Sequence, residues 1–459
     1  MAIVNQLVSH HDKTFPVVSR RAGVATIMFL FLLVGSSLIH AQATRTQQSE
    51  QILQPGGDTV EHDTFGTGVA ISGNTMVIGA ENADGNEVGA GAAFIFDKIG
   101  DNWVQTARIF AADGHAQPLP SEPGKFESDS FGLSVAISGD TVVVGAPDHI
   151  HPGIGGPSAR VGAVYVFQRL NGVWTQQAEL FSPNPNVHDN FGGQQGNSLA
   201  GGVGISGNTI VVADAGNFQF NNIPAGIDVF NRINGTWTFT TQLTVPADFS
   251  FFPNSLAFDG KTLAVGSNIS DTLTAPFAGV AYVFQFNDGQ WSAPMTLAAD
   301  DATSGAQFGN GVGLSGNLIV VGANFAPGAT SQSGAAYIFA GEGDSWRQKA
   351  KLISNDGQDF DQFGVTIAVS GRTVLVSASN HTPPVADATA GGAAYVFRHR
   401  DGGWQQTDEL FASDAIGGGD FGASVAIQDN TLIVGADGQH PPVEGYPGGE
   451  AYVFRLNPE

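Results

Sequence analysis

Few residues of the 459-residue chain have the types and spacing that enzyme chemistry requires. Asp148-His149-Ile150-His151 could present two imidazoles to a metal ion, but the sequence identifies no third ligand, so we interpret both histidines as exposed. Glu122 and Glu127 could form an acid pair for glycoside hydrolysis, although spacing alone does not show the required separation of the carboxyl groups. The sequence contains no nucleophile elbow, zinc-binding helix or phosphate loop. It therefore predicts a protein that is not an enzyme, with no catalytic residues, no metal and no cofactor.

The charge of the chain is strongly negative. It has 18 basic and 42 acidic residues, a formal net charge of −24, which repels phosphate backbones and favours basic protein surfaces. We therefore exclude nucleic acid as a partner. The densest acidic segment, residues 355–361, could bind a cation, but a solvated loop is the preferred interpretation. Because the chain has no cysteine, disulfides and thiolate metal sites are excluded.

The first 43 residues have the pattern of an export signal. Basic residues precede an apolar run from Ala22 to Ile39, and Ala41-Gln42-Ala43 fits a small-residue cleavage site. We predict a signal peptide at residues 1–43 and a secreted or extracytoplasmic mature chain, in the periplasm or at the cell surface, with no membrane insertion after leader removal. The alternative is an uncleaved signal anchor, since the apolar run is long for a leader.

The rest of the chain is a tandem repeat. Each of the six tryptophans follows, by seven residues, the Phe that ends a short apolar strand. The tryptophans are Trp103, Trp174, Trp237, Trp291, Trp346 and Trp404, and a seventh strand ends at Phe454. Seven copies with a period of about 60 residues indicate a β-propeller. A large ring at the same place in each copy is expected to pack between neighbouring blades.

Each copy has the strands of one propeller blade. Val- and Ile-rich runs alternate with Gly, Asn and Asp, and turns such as Ser72-Gly73-Asn74-Thr75 are typical of tight hairpins. We therefore predict an all-β fold, a seven-bladed β-propeller of four-stranded antiparallel blades at residues 44–459. The last copy lacks a fourth strand and Ser49 to Gln54 is placed to supply it, so the N-terminal strand should close the ring.

Two dipeptides recur at fixed places in the copies. Phe-Gly opens five copies, at Phe65-Gly66, Phe131-Gly132, Phe308-Gly309, Phe363-Gly364 and Phe421-Gly422. Gly-Ala ends the second strand at Gly79-Ala80, Gly145-Ala146, Gly322-Ala323 and Gly435-Ala436. This pattern resembles the FG-GAP repeat family, whose members include the seven-bladed propeller of integrin alpha chains and many secreted bacterial proteins. The third copy departs from the pattern with Leu199-Ala200, after an insertion that contains Phe191-Gly192, and the fourth departs with Phe252-Pro253.

The resemblance does not carry over the calcium sites of integrins. Those sites are Asp-x-Asp-x-Asp-Gly-like loops between the first two strands, and none of the hairpins in this sequence has such a loop. Asp63, Asp129 and Asp361 each precede a Phe-Gly dipeptide by two residues. We interpret these carboxylates as caps for backbone N–H groups of the turn.

Candidate binding residues are in the loops that follow the second and fourth strands. Antiparallel order puts these loops at one rim, and long segments such as Ala112 to Ser130 distinguish it from the other rim. The resemblance implies that this rim is the ligand face, as in integrin propellers. Our candidate ligand-binding patch consists of Phe218, Phe220, Phe249, Phe251 and Phe277.

The leading functional prediction is a secreted, adhesion-like binding module with a protein or carbohydrate ligand. The phenylalanines of the patch could instead pack inward and fill the core of the irregular third and fourth blades. A glycan-active enzyme on a propeller scaffold and a structural spacer in an envelope layer are the alternative functions, and the fold does not choose among them.

Overall fold

The computed structural model describes residues 47–53, 63–118, 126–151, 154, 160–185, 190–193, 202–215, 225–245, 253–272, 275–341, 345–382, 391–413, 419–438 and 448–457. All helix and strand assignments in these ranges are β-strands. Within them, no helix is long and apolar enough to cross a membrane. Residues Thr44–Glu459 form one compact unit. The predicted signal peptide, residues 1–43, lies outside the described residues.

Seven antiparallel sheets form the blades, which we number in chain order from Phe65. Blade one contains β2 (Phe65–Ser72), β3 (Thr75–Ala80), β4 (Ala92–Ile99) and β5 (Asn102–Ile109). Blade two contains β8 (Ser134–Ser138), β9 (Thr141–Ala146), β10 (Ala163–Leu170) and β11 (Val173–Leu180). Blade three contains β12 (Val203–Ser206), β13 (Thr209–Asp214), β14 (Gly226–Ile233) and β15 (Thr236–Leu243). A small hairpin, β6 (Ala116–Pro118) and β7 (Phe126–Ser128), lies in the connection between blades one and two.

Blades four to seven continue the same order. Blade four contains β16 (Ser255–Phe258), β17 (Thr262–Ser267), β18 (Val280–Asn287), β19 (Gln290–Trp291) and β20 (Met295–Leu297), and blade five contains β21 (Phe308–Ser315), β22 (Leu318–Ala323), β23 (Ala335–Ala340) and β24 (Arg347–Leu352). Blade six contains β25 (Ile367–Ser370), β26 (Thr373–Ala378), β27 (Ala393–Arg400) and β28 (Gly403–Leu410). Blade seven contains β29 (Phe421–Gln428), β30 (Thr431–Ala436), β31 (Glu450–Arg455) and the N-terminal strand β1 (Gln47–Leu53). In blade four, β19 and β20 both pair with β18 and divide the place of the fourth strand. The predicted seven-bladed propeller is confirmed.

The first strands of the blades form the inner ring. Each contacts the first strands of both neighbouring blades, and β2 of blade one contacts β29 of blade seven. The turns between first and second strands are tight, as predicted: Ser72 pairs with Thr75, and Gly73 has a φ of +62°, which favours glycine. The narrow inner ring is therefore built from short hairpins that leave one rim almost without loops.

The N-terminal strand closes the ring. β1 pairs antiparallel with β31, from Gln47 opposite Arg455 to Leu53 opposite Glu450. The Ser49 hydroxyl donates to the carbonyl of Val453 at 2.9 Å. Ile52 is buried in a cluster that joins blades one and seven. The first and last parts of the described chain thus share one blade, as the sequence predicted.

Each hydrophobic cluster lies between two neighbouring blades. Trp103, for example, packs in one cluster with Phe94 of its own blade and with Ile433 and Val453 of blade seven. The other five tryptophans occupy the equivalent positions, each in or against a cluster shared with the preceding blade. Burial of apolar surface therefore holds the blades to each other as well as within themselves. The predicted packing of the tryptophans is confirmed.

The recurring dipeptides meet across the blade junctions. Phe131 is fully buried and its ring lies 5.5 Å from that of Tyr165, whereas Gly132 turns the chain with a φ of +106°. The carbonyl oxygen of Gly132 would lie 1.9 Å from a Cβ placed on Gly79, the glycine of the preceding blade's Gly-Ala pair. Glycine is required there because two backbones approach too closely for any side chain. The glycine of Phe-Gly thus contacts the glycine of Gly-Ala in the preceding blade.

The prediction for the third copy was wrong. Phe191-Gly192, which we placed in an insertion, occupies the Phe-Gly position: Phe191 is fully buried against Phe230, and Gly192 has a φ of +91° and accepts a hydrogen bond from Ser134 through its carbonyl. The insertion therefore follows the dipeptide, in residues 194–201, which lie outside the described residues. The sequence prediction had excluded the dipeptide from the repeat because it lies far from the next strand, β12.

An ion-pair network joins blades one and two at the rim with tight turns. The Arg169 guanidinium contacts Asp97 at 3.0 Å and Asp140 at 2.7 Å. Burial alone would raise the pKa of Asp97, but hydrogen bonds from Thr75, Thr106 and Arg169 outweigh that effect and lower it. The Asp97 carboxylate therefore stabilises the folded state in its charged form.

This network predicts a pH-dependent contribution to stability. A carboxyl whose folded pKa lies below its unfolded value stabilises the protein above about pH 4, and the contribution is lost as the pH falls through the folded pKa. We expect Asp97→Asn to lower the free energy of unfolding by about 1 kcal/mol or less near pH 6, and the difference from the parent to shrink as the pH falls below about 4. Urea unfolding at a series of pH values from about 6 downwards measures it, with exposed Asp101→Asn as control. A difference that stays constant with pH would contradict the assignment.

Candidate functional site

The two rims of the propeller differ in loop length. Connections after the second and fourth strands meet at one rim, which we call the long-loop rim. In blade one residues 81–91 separate β3 from β4, and in blade two residues 147–162 separate β9 from β10. At the other rim, two residues join most hairpins. Because long loops on a rigid scaffold can vary without disturbing the core, candidate sites belong at the long-loop rim.

One polar cluster at the long-loop rim is centred on His149. His149 follows β9, and only 2% of its side chain is exposed. Its Nδ1 lies 2.8 Å from Oδ2 of Asp129, and its Nε2 lies 3.4 Å from Oε1 of Glu179. The Tyr165 hydroxyl donates to Oδ1 of Asp113 at 3.1 Å. One ligand atom each from Asp113, His149 and Glu179 lies within 4.8 Å of the others.

The same cluster recurs in blade six around His381. Its Nδ1 lies 2.8 Å from Oδ2 of Asp361, and its Nε2 lies 3.7 Å from Oε1 of Glu409 and 3.8 Å from Oδ2 of Asp356. The Tyr395 hydroxyl donates to Asp356 at 3.1 Å. Corresponding positions in blades two and six therefore carry the same five residue types in the same arrangement. We call these two sets the histidine clusters.

The environment of the histidine clusters favours positive charge. Burial alone would lower the pKa of His149, but the hydrogen bond and charge of Asp129 outweigh it and raise the pKa; Asp361 does the same for His381. Burial and the nearby charge of Asp113 raise the pKa of Glu179. Each cluster thus surrounds one imidazole with carboxylates.

The geometry corrects the sequence interpretation of several residues. His149 is buried, so its prediction as an exposed residue was wrong, because Asp129 and Tyr165 cover it. Asp129 accepts the backbone N–H of His115 at 2.8 Å, so it caps a backbone group of the preceding connection rather than of the Phe-Gly turn. Asp361 likewise accepts the N–H of Gln358 at 2.7 Å. Each of the two carboxylates therefore contacts a histidine and also accepts a hydrogen bond from a backbone N–H group.

The acidic segment 355–361 is mostly exposed, as predicted for a solvated loop, but three of its carboxylates have specific partners. Asp356 and Asp361 belong to the second histidine cluster, and Asp359 accepts the backbone N–H of Gln332 at 2.9 Å. A signal for the clusters was present in the sequence. Asp129 precedes His149 by 20 residues, and Asp361 precedes His381 by the same 20. Equal spacing in two copies could have identified both pairs.

Of the five phenylalanines in the candidate aromatic patch, Phe277 is the one that lies within the described residues. Phe277 lies at the long-loop rim between β17 and β18, with 59% of its surface exposed and a φ of +53°. Phe218, Phe220, Phe249 and Phe251 lie outside the described residues, as does Glu122. A second phenylalanine, Phe360, shares both features of Phe277 at the same rim: it is 56% exposed and has a φ of +71°. Sequence reasoning had assigned Phe360 only to the acidic segment.

The seven four-stranded blades define this protein as a β-propeller. A family model described as FG-GAP repeat matches residues 48–96, 123–167, 291–339, 346–397 and 404–454, more than half of the chain. The chain therefore belongs to the FG-GAP repeat family, and its propeller is consistent with an integrin alpha-like propeller. The match at residues 48–96 spans β1 and the first three strands of blade one, so one repeat unit joins two blades. No curated protein matches the chain.

Proposed function

We propose that this propeller is a non-enzymatic, adhesion-type binding protein that holds a protein or carbohydrate ligand at its long-loop rim. The FG-GAP propeller fold is consistent with a binding scaffold. The observation that carries the proposal is the pair of exposed phenylalanines, Phe277 and Phe360. The secreted or cell-surface location in the proposal is supported by the sequence of residues 1–43.

Both phenylalanines adopt a backbone conformation that is costly for a bulky residue. A left-handed φ costs an L-residue about 1–2 kcal/mol, and an exposed aromatic ring forgoes the gain of burial. Hydrogen bonds hold both conformations: Phe277 donates its N–H to Asp271 at 2.8 Å, and Phe360 donates to the carbonyl of Gln332 at 3.0 Å. Strain that local contacts maintain at an exposed ring favours a role in binding, where a few well-placed residues contribute most of the energy.

Binding tests this proposal with matched variants. The parent protein, Phe277→Ser/Phe360→Ser, and Leu170→Ser/Val173→Ser are immobilised and exposed to fractionated envelope proteins and polysaccharides. The control pair is exposed at the opposite rim. We expect saturable retention of a ligand by the parent and control, and about 30-fold weaker binding by the phenylalanine variant, as for loss of two anchors. A further variant, Phe218→Ala/Phe220→Ala/Phe249→Ala/Phe251→Ala, tests the rest of the predicted patch.

Other outcomes would contradict the proposal. Equal retention by all variants would show that these phenylalanines do not form the binding site. Hydrolysis products from a polysaccharide panel would favour the glycan-active enzyme, and a protein with neither binding nor hydrolysis would favour the structural spacer.

A further inference from the structure

We propose that the two histidine clusters are divalent metal sites, each of which binds a Zn²⁺-like ion through one imidazole and two carboxylates. The ligands in blade two are His149 Nε2, Glu179 and Asp113, and those in blade six are His381 Nε2, Glu409 and Asp356. Imidazole nitrogen and carboxylate oxygen are ligands that Zn²⁺ and its first-row neighbours accept.

The first argument is the spacing of the ligand atoms. Nε2 of His149 lies 3.4 Å from Glu179, and Nε2 of His381 lies 3.7 Å from Glu409 and 3.8 Å from Asp356. These distances exceed the range of about 2.7–3.2 Å of good N–H···O hydrogen bonds. With metal–ligand bonds of about 2.0–2.2 Å, tetrahedral ligand atoms lie about 3.3–3.6 Å apart. The blade-two distance lies in this range and the blade-six distances lie just above it, so both clusters have close to the separation of ligand atoms around an ion.

The second argument is the orientation of the imidazoles. Asp129 accepts a hydrogen bond from Nδ1 of His149, and Asp361 does so for His381, each at 2.8 Å. This bond puts a proton on Nδ1, so Nε2, which faces the other carboxylates, is the ring nitrogen that a metal ion would take. A carboxylate that orients a histidine in this way commonly supports a metal ligand. Both histidines are held by burial as well.

The third argument comes from the equivalent place in blade five, where the protein supplies its own cation. Tyr337 pairs with Lys351 there, in the register that pairs Tyr165 with Glu179 and Tyr395 with Glu409. The Lys351 ammonium lies 2.6 Å from Asp301 and 5.3 Å from the Tyr337 ring centroid.

The charge at this position is inverted in the histidine clusters. Asp113 corresponds to Asp301, since the residue before each donates its N–H to a glutamine of the adjoining fourth strand. In blades two and six a glutamate replaces the lysine, and a histidine nitrogen is added. A site that holds an ammonium in blade five thereby becomes one with two carboxylates and a nitrogen ligand. A divalent cation restores the charge balance that Lys351 provides.

Metal stoichiometry tests the proposal. The full chain is stripped with a chelator, equilibrated with Zn²⁺ and dialysed, and its zinc is measured by mass spectrometry. We expect about two Zn²⁺ per chain for the parent, about one for Glu179→Gln or Glu409→Gln, and none for the double variant, because each glutamine removes one ligand charge. His115→Asn is the matched control, since His115 also lies near a carboxylate, Glu87 at 3.8 Å, but outside the histidine clusters.

A second measurement separates positioning from ligation. Calorimetric titration with Zn²⁺ should show affinity at the blade-two site about 10- to 100-fold weaker in Asp129→Asn, with stoichiometry unchanged. The melting temperature of every variant in chelator establishes that it is folded. Zinc content that does not follow the glutamines, or a stripped parent that takes up no Zn²⁺, would overturn the proposal.

Discussion

A chain that begins at Gln54 is expected to melt about 6 °C below one that begins at Thr44, because the shorter chain lacks β1. The deletion removes the ladder between β1 and β31, the Ser49 to Val453 hydrogen bond and the buried side chain of Ile52. At about 1 kcal/mol for each of several hydrogen bonds and about 2 kcal/mol for Ile52, the loss is about 5 kcal/mol or more. For a chain of this size, 1 kcal/mol corresponds to about 1 °C.

The effect of this deletion should extend to the whole ring. β31 would become an open edge, and blade one would lose Glu50, which accepts the N–H of Trp103 at 3.0 Å. Scanning calorimetry of both chains measures the difference. A synthetic peptide of residues 44–55 should restore part of the lost stability, whereas a scrambled peptide should not. If the two chains melted within about 2 °C of each other, closure by β1 would be structurally unimportant.

Gly322→Ala is expected to cost about 3 kcal/mol or more, although it adds a single methyl group. A Cβ on Gly322 would lie 1.9 Å from the carbonyl oxygen of Gly364 in the next blade, so blades five and six would have to separate. Backbone cannot give way as a flexible side chain can, and the cost is therefore at the upper end of overpacking effects.

Gly403→Ala is the matched control for this prediction. Gly403 also lies in a strand, and a Cβ there would meet nothing within 4 Å. Its substitution should change the free energy of unfolding by about 0.5 kcal/mol or less. Urea unfolding of both variants measures the difference. Equal effects would show that the blade junction tolerates a side chain, and that the glycines of the repeat do not reflect close backbone approach.

The repeat pattern was sufficient to predict the propeller. Strand alternation, tight turns such as Ser72 to Thr75 and the period of the tryptophans are local features of the chain. They specify the number of blades, and the missing fourth strand of the last copy specifies the closure by β1. The same local information failed at Phe191-Gly192, because an insertion separates this dipeptide from its strand while burial against Phe230 still holds it in place.

Only the tertiary structure decided which polar side chains meet. Asp113, His149 and Glu179 come from three separate connections or strands, and their contact depends on how blades one and two pack. The sequence determined the strands and their order, because backbone preference and apolar alternation act over a few residues. The equal spacing of the Asp–His pairs is visible in the sequence, but the approach of Asp113 and Glu179 to His149 is a property of packing between blades, so only the assembled ring shows it.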